Sequence, residues 1–195
     1  MKYYNKLDFP PIPEELLNFD FNDTSIYTIK LNLEHFDYGV DHYLNGEYIR
    51  PPKYVFHMID INRSPLKPWL DANLPFPVTR MGHIAMTHSD NGRMIVHTDR
   101  DRRVALNYII DAGGDNVITN WYQEEGMPVF RERKVGGQAG PGKVDYEKLT
   151  LLDSTVFKER TWGMIHTDIL HDVININSTR RILSFGFDDY SYVKN

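Results

Sequence analysis

Apolar residues in this chain recur mostly at every second position in short runs, not at every third or fourth. That period sends alternate side chains to opposite faces of an extended strand. Residues 25–33, 53–59, 80–88, 93–99, 103–110 and 117–122 read this way, as do 148–152, 162–169, 171–176 and 181–187. Asn45-Gly46 sits between apolar pairs in 43–49 and predicts a hairpin turn. Helical signals are few. Pro10, Pro11 and Pro13 lead into a short helical turn at 14–17, and Ser64-Pro65 opens a capped helix over 64–71. Residues 123–145 are polar and glycine-rich, which predicts a mobile loop that serves as a lid. Many short strands with few, mostly N-terminal helices predict a mainly β sandwich or barrel.

At 195 residues the chain suits one domain with a sizeable core. Residues 1–77 are expected to form an N-terminal elaboration on a β core spanning 78–188. The net charge of −5 argues against a nucleic-acid binder with a broad basic surface. The chain has no cysteine, which excludes disulfides, thiolate metal sites and a cysteine nucleophile. No apolar run reaches the ~18 residues that span a membrane. Met1 to Lys6 is followed by no hydrophobic run, so the expected location is the cytoplasm.

The stretch 94–99, Met-Ile-Val-His-Thr-Asp, carries the chemistry. His97 and Asp99 are two residues apart, so in extended chain they share a face and can grip one ion. His171 is the best third ligand. Two histidines and one carboxylate, with other positions open, form the facial triad of non-heme Fe(II) oxygenases, although zinc takes the same donors. His-Thr-Asp occurs again at 166–168, but His171 follows Asp168 too closely to complete a triad there. His166 is therefore expected at the surface or behind the site. In the run 180–187, Arg181 shares its face with Leu183, Phe185 and Phe187, and Arg180 shares its face with Ile182, Ser184 and Gly186. The more apolar face should be the interior, which favours Arg181 as an inward-pointing anion anchor, with Arg180 as the alternative.

Residues 162–182, with His166, His171 and Arg181, resemble the C-terminal half of Fe(II)/2-oxoglutarate-dependent dioxygenases. The similarity is to the aspartyl/asparaginyl β-hydroxylase-like branch and its small bacterial and phage relatives. His97-Thr98-Asp99, Arg103 to Tyr108 and Thr119 to Tyr122 match the N-terminal half of that core, and the resemblance covers roughly 78–188. It implies a double-stranded β-helix, a jelly roll of the cupin kind. It implies Fe(II) on His97, Asp99 and His171, and 2-oxoglutarate held at its distal carboxylate by Arg181 or Arg180. It also implies that Arg103 and Asn107, four apart on one strand face, belong to the pocket, with Tyr122 and Trp121 as its walls. The implied activity consumes O2 and 2-oxoglutarate, releases succinate and CO2, and hydroxylates a peptide side chain or small molecule. The other readings are a jelly-roll binding protein without turnover and a cupin-like enzyme using another divalent metal.

Overall fold

The computed structural model describes residues 3–18, 27–33, 43–44, 47–48, 53–87, 92–99, 102–130 and 144–187. The Asn45-Gly46 turn and most of the glycine-rich loop, residues 131–143, lie outside them. The strands are β1 (Tyr4–Leu7), β2 (Tyr27–Leu33), β3 (Tyr43–Leu44), β4 (Glu47–Tyr48), β5 (Lys53–Ile59), β6 (Arg80–Thr87), β7 (Val104–Asp111), β8 (Ile118–Glu124), β9 (Leu149–Val156), β10 (Trp162–His166), β11 (Leu170–Ile174) and β12 (Arg180–Gly186). One α-helix, α1 (Leu66–Asn73), follows β5, and the turn at Glu14–Leu16 is 3-10. No helix among the described residues is long and apolar enough to cross a membrane.

Two antiparallel sheets carry the fold. The larger runs β1-β10-β7-β12-β6-β5-β2 and the smaller runs β11-β8-β9. The chain from Arg80 onward passes back and forth between them. β6, β7, β10 and β12 lie in the large sheet, whereas β8, β9 and β11 lie in the small one. The stretch 92–99 extends the small sheet along β11 through bridges Gly92↔Ile176 and His97↔His171. It is not a full strand. Between those bridges the pairing is irregular: Met94 N donates to Val173 O at 2.7 Å, and Val96 N, on the side away from β11, donates to the Tyr146 hydroxyl at 3.0 Å. This shuttling between two facing sheets makes the fold a double-stranded β-helix, or jelly roll. Residues 1–77 widen the large sheet with β1, β2 and β5 and add α1 on its outside.

The large sheet is buried on both faces. Its outer face packs Met81, Leu106, Trp162, Leu183 and Phe185 against Ile12, Leu66 and Leu70. Leu66 and Leu70 are one turn apart on α1, and Trp69 between them stacks on Trp162 at 3°. The inner face packs Ile84, Ala105, Ile109, Ile165 and Ile182 against Met94, Trp121 and Ile169 of the small-sheet layer. β7 is consequently buried at seven successive residues, Val104 to Ile110. Gly163 on β10 faces this inner core, where any Cβ would overlap the Phe157 ring. On the outer face, His57 and His83 pair across β5 and β6, with rings 5.9 Å apart.

Burial, followed by the His57 and Arg181 charges, pushes His83 down to about 4. The unfolded chain therefore binds a proton at His83, between its ordinary value of 6.5 and about 4, that the folded chain refuses. Stability should fall as pH drops through that window, and His83→Gln should flatten the slope of melting temperature against pH. Gly163→Ala should cost about 1–3 kcal/mol through overpacking against Phe157, measured by urea denaturation.

Candidate functional site

The backbone brings the ligand-bearing stretches together. His97 and His171 exchange both ladder bonds, N to O at 2.9 and 2.8 Å, so their rings project to one side. The ring centroids are 4.4 Å apart. Asp99, two residues on, places Oδ1 3.8 Å from His97 Nε2 and 3.9 Å from His171 Nε2. One donor atom from each of the three residues lies within 4.8 Å of the others.

The second His-Thr-Asp copy supports the first. Thr167 is buried between β10 and β11; its carbonyl accepts from Asp99 N at 2.8 Å, and its hydroxyl donates to Arg102 O at 2.9 Å. His166 is half-buried, with Nδ1 3.3 Å from Asp168 Oδ1.

The donor chemistry is set before any ligand arrives. His97 Nδ1 is 2.8 Å from Ile95 O, and His171 Nδ1 is 2.9 Å from Ile169 O. A carbonyl only accepts, so both rings carry a proton on Nδ1 and turn Nε2 toward Asp99. Burial and the neighbouring His97 push His171 down to about 4, which keeps it neutral at pH 7. Burial pushes the Asp99 carboxyl up, but Arg102 and the two imidazoles outweigh it, and the carboxyl stays ionised below its ordinary value. Arg102 Nε donates to Asp99 Oδ2 at 2.7 Å, which leaves Oδ1 as the oxygen between the imidazoles. Two imidazole nitrogens and one carboxylate oxygen are the donor set that Fe(II) takes in a facial triad.

These groups line a cavity of about 110 Å³ between the two sheets. Its walls are mostly apolar, including Ile84, Met94, Ile109, Ile165 and Ile182. Tyr54, from β5, also reaches it; burial and then the Asp99 charge raise its hydroxyl pKa. Arg180 lines it as well and is 4% exposed. Its NH1 donates to Ala112 O at 3.0 Å, and its Nε has no hydrogen-bond partner among the described residues. Burial pushes its pKa down only to about 10, so it stays charged at neutral pH. Gly113 passes close beside it: its φ of +81 suits glycine, and a Cβ there would lie 2.8 Å from Arg180 Cβ.

Three expected orientations are corrected. Arg181 does not face the interior. Its side chain is 42% exposed and lies 3.9 Å from Asp111, while Arg180 points inward. The more apolar face of β12 packs against the N-terminal layer, so apolarity does not mark the inside of a sheet covered on both faces. Arg103 does not share a face with Asn107. β7 begins at Val104, so strand alternation does not extend back to Arg103, which is exposed. Arg102, unremarked in the sequence, takes the place in the cavity, although its three-residue spacing from Asp99 was a usable signal. Tyr122 is not a cavity wall; it lies on the outer face of the small sheet, where its hydroxyl is 3.2 Å from Asp172 Oδ1. Asn107 does line the cavity, and Trp121 is fully buried in the core between the sheets.

Behind His171 sits a second polar cluster that sequence reasoning missed. Asp172 is fully buried, and burial raises its pKa against the pull of Arg93. Arg93 donates to Asp172 Oδ2 from Nε at 2.7 Å and from NH2 at 2.6 Å, and Asn120 donates to Oδ1 at 2.9 Å. This pair clamps the stretch 92–99 to β11.

The chain matches no family model and no curated protein. Among solved structures it is similar to a 2OG-Fe(II) oxygenase family oxidoreductase from Burkholderia pseudomallei, at 10% identity and TM-score 0.39, covering 80% of this chain and 71% of that one. It is also similar to a Pseudomonas putida prolyl-4-hydroxylase, at 12% identity and TM-score 0.40, covering 71% of each chain. A third likeness is to the Drosophila melanogaster CENP-C cupin domain, at 6% identity and TM-score 0.29, covering 75% of this chain and 74% of that one.

Removing the arginine of the buried pair strands a carboxylate. Arg93→Met should destabilise the fold by about 3–5 kcal/mol, read from urea denaturation by tryptophan fluorescence.

Proposed function

We propose that this chain is an Fe(II)- and 2-oxoglutarate-dependent oxygenase that hydroxylates a peptide side chain or small molecule. One observation carries the reading. A buried guanidinium, Arg180, without an ion-pair partner among the described residues, faces the same small cavity as His97, Asp99 and His171. A charge left unpaired in a protein interior is costly, and a fold alone gains nothing from it. A ligand that brings an anion to Arg180 and donor oxygens to a metal at the triad accounts for both features.

Arg180 and Ser184 lie four residues apart on one face of β12, and both line the cavity. A cavity of about 110 Å³ holds several waters' volume, at roughly 10–15 Å³ each, and so suits one small acid.

Each residue then has a defined task. His97 Nε2, His171 Nε2 and Asp99 Oδ1 need only small shifts to reach ~2 Å from one ion. Arg102 holds the other Asp99 oxygen away, which keeps coordination positions free for ligands. Arg180 binds the distal carboxylate through charge-assisted hydrogen bonds and fixes the pose. The apolar walls exclude water from the reacting end. Bound Fe(II) supplies the redox chemistry that uses O2 to convert 2-oxoglutarate to succinate and CO2 while one oxygen atom enters a substrate C–H bond.

Succinate release from 2-oxoglutarate with Fe(II) tests the reading. Wild type should release succinate, and Asp99→Ala and His171→Ala should not, with metal affinity lost by calorimetry. Arg180→Ala should weaken 2-oxoglutarate binding about a hundredfold, while Arg181→Ala should change it less than about threefold. If metal-loaded wild type fails to bind 2-oxoglutarate, the co-substrate assignment is wrong.

A further inference from the structure

The imidazole of His97 is aimed by the peptide that joins Ile95 to Val96. His97 Nδ1 donates to Ile95 O at 2.8 Å, which turns Nε2 toward Asp99. The N–H of that same peptide, on Val96, donates to the Tyr146 hydroxyl at 3.0 Å. No peptide among the described residues is cis, and a trans peptide is planar, with its C=O and N–H pointing opposite ways. Tyr146 Oη, the 95–96 peptide and the His97 ring therefore form one series of hydrogen bonds that leads to the metal-facing nitrogen.

The two histidines are supported differently. His171 Nδ1 donates to Ile169 O, and the N–H of that peptide is on Leu170, which pairs with Tyr122 of β8. A sheet neighbour thus holds the peptide behind His171. The N–H and C=O of His97 are both committed to His171, so the Val96 N–H points away from β11, to a side where no described strand lies. Tyr146 supplies there the acceptor that a neighbouring strand would.

Tyr146 is itself held in place. It is buried among Val96, Val144 and Leu170, and the Arg93 guanidinium lies 5.7 Å from its ring centroid. The turn it begins is stitched to the end of β8: Asp145 N donates to Glu124 Oε1 at 3.1 Å, and Glu125 N donates to Lys148 O at 3.0 Å. β8 pairs in turn with β11, the strand that carries His171. We propose that Tyr146 is a positioning residue of the metal centre, whose hydroxyl holds the 95–96 peptide in the plane that aims and polarises the His97 imidazole. This rests on the metal site of the oxygenase reading above and adds to it a residue that touches neither ion nor cavity. Hydrogen bonds in series strengthen one another, and loss of support behind a metal-binding histidine costs roughly 10–100-fold in affinity.

Tyr146→Phe keeps the ring, its packing and the Arg93 contact, and removes only the acceptor. Tyr122→Phe is the control: it removes a hydroxyl from the same outer face, one that bonds Asp172 and not the 95–96 peptide. Full-length protein is titrated with Co(II) alone, read by calorimetry and by the visible Co(II) spectrum, and melting curves establish that each variant is folded. Tyr146→Phe should weaken Co(II) binding about tenfold or more and shift the absorption bands, whereas Tyr122→Phe should change affinity by less than about twofold. In metal-free protein, the His97 Nδ1 proton should move upfield in Tyr146→Phe, as its hydrogen bond to Ile95 O weakens. If wild type binds no Co(II), the metal-site reading falls and this inference with it. If wild type binds and folded Tyr146→Phe binds as tightly with the same spectrum, the inference is overturned while the metal site stands. If Tyr122→Phe weakens binding as much as Tyr146→Phe, the loss reports a general loosening of the outer face, and the role of the Tyr146 hydroxyl is overturned.

Discussion

Two backbone hydrogen bonds between His97 and His171 set the geometry of everything around them. They join the extended stretch 92–99 to β11, along which the remaining pairing is irregular. An antiparallel bridge puts its paired residues on the same side, so the two imidazoles project together into the space between the sheets. Asp99 follows on the same side. Its own N–H is held by the carbonyl of Thr167, from the turn that feeds β11. The three side chains are thus placed by main chain rather than by their attraction for one another, as preorganisation requires.

Charge is arranged around that bridge in layers. On the inner side, Asp99 is balanced by Arg102, whereas Arg180 has no ion-pair partner among the described residues and feels only the charge of Asp111. On the outer side, Asp172 is matched by Arg93 and further donors. Adjacent residues in a strand face opposite ways, so His171 and Asp172 belong to two separate polar systems with one backbone between them. The outer system is saturated and acts as a rivet. The inner one has donors and lone pairs left over, which is the mark of a place where something binds.

Local signals were legible in the sequence. The strand over 53–59 and the short helix after Ser64 follow from alternation and capping, and the mainly β jelly roll follows from their sum. His97 and Asp99 share a side because an i, i+2 spacing fixes that wherever the chain is extended. Features that depend on what covers a strand were not legible. β12 shows an apolar face and a mixed face, and the apolar one turned out to meet the N-terminal layer. Arg103 was placed by extending an alternation beyond the point where β7 starts. The Arg93–Asp172 pair joins residues 79 positions apart, and no periodicity announces it.

β12 has no idle face. Leu183 and Phe185 anchor the N-terminal layer, and Arg180 and Ser184, interleaved with them, line the cavity. A side chain that changes volume on the outer side tilts the strand and re-aims its inner neighbours by fractions of an ångström. In this protein, distance from the pocket in the folded molecule is therefore a poor guide to neutrality. Substitutions at the residues packed on that outer face, such as Ile12, Leu66 and Leu70, should be epistatic with those in the cavity. The shape of the cavity can thus be changed by two routes: altering its lining directly, or repacking the layer that leans on its wall.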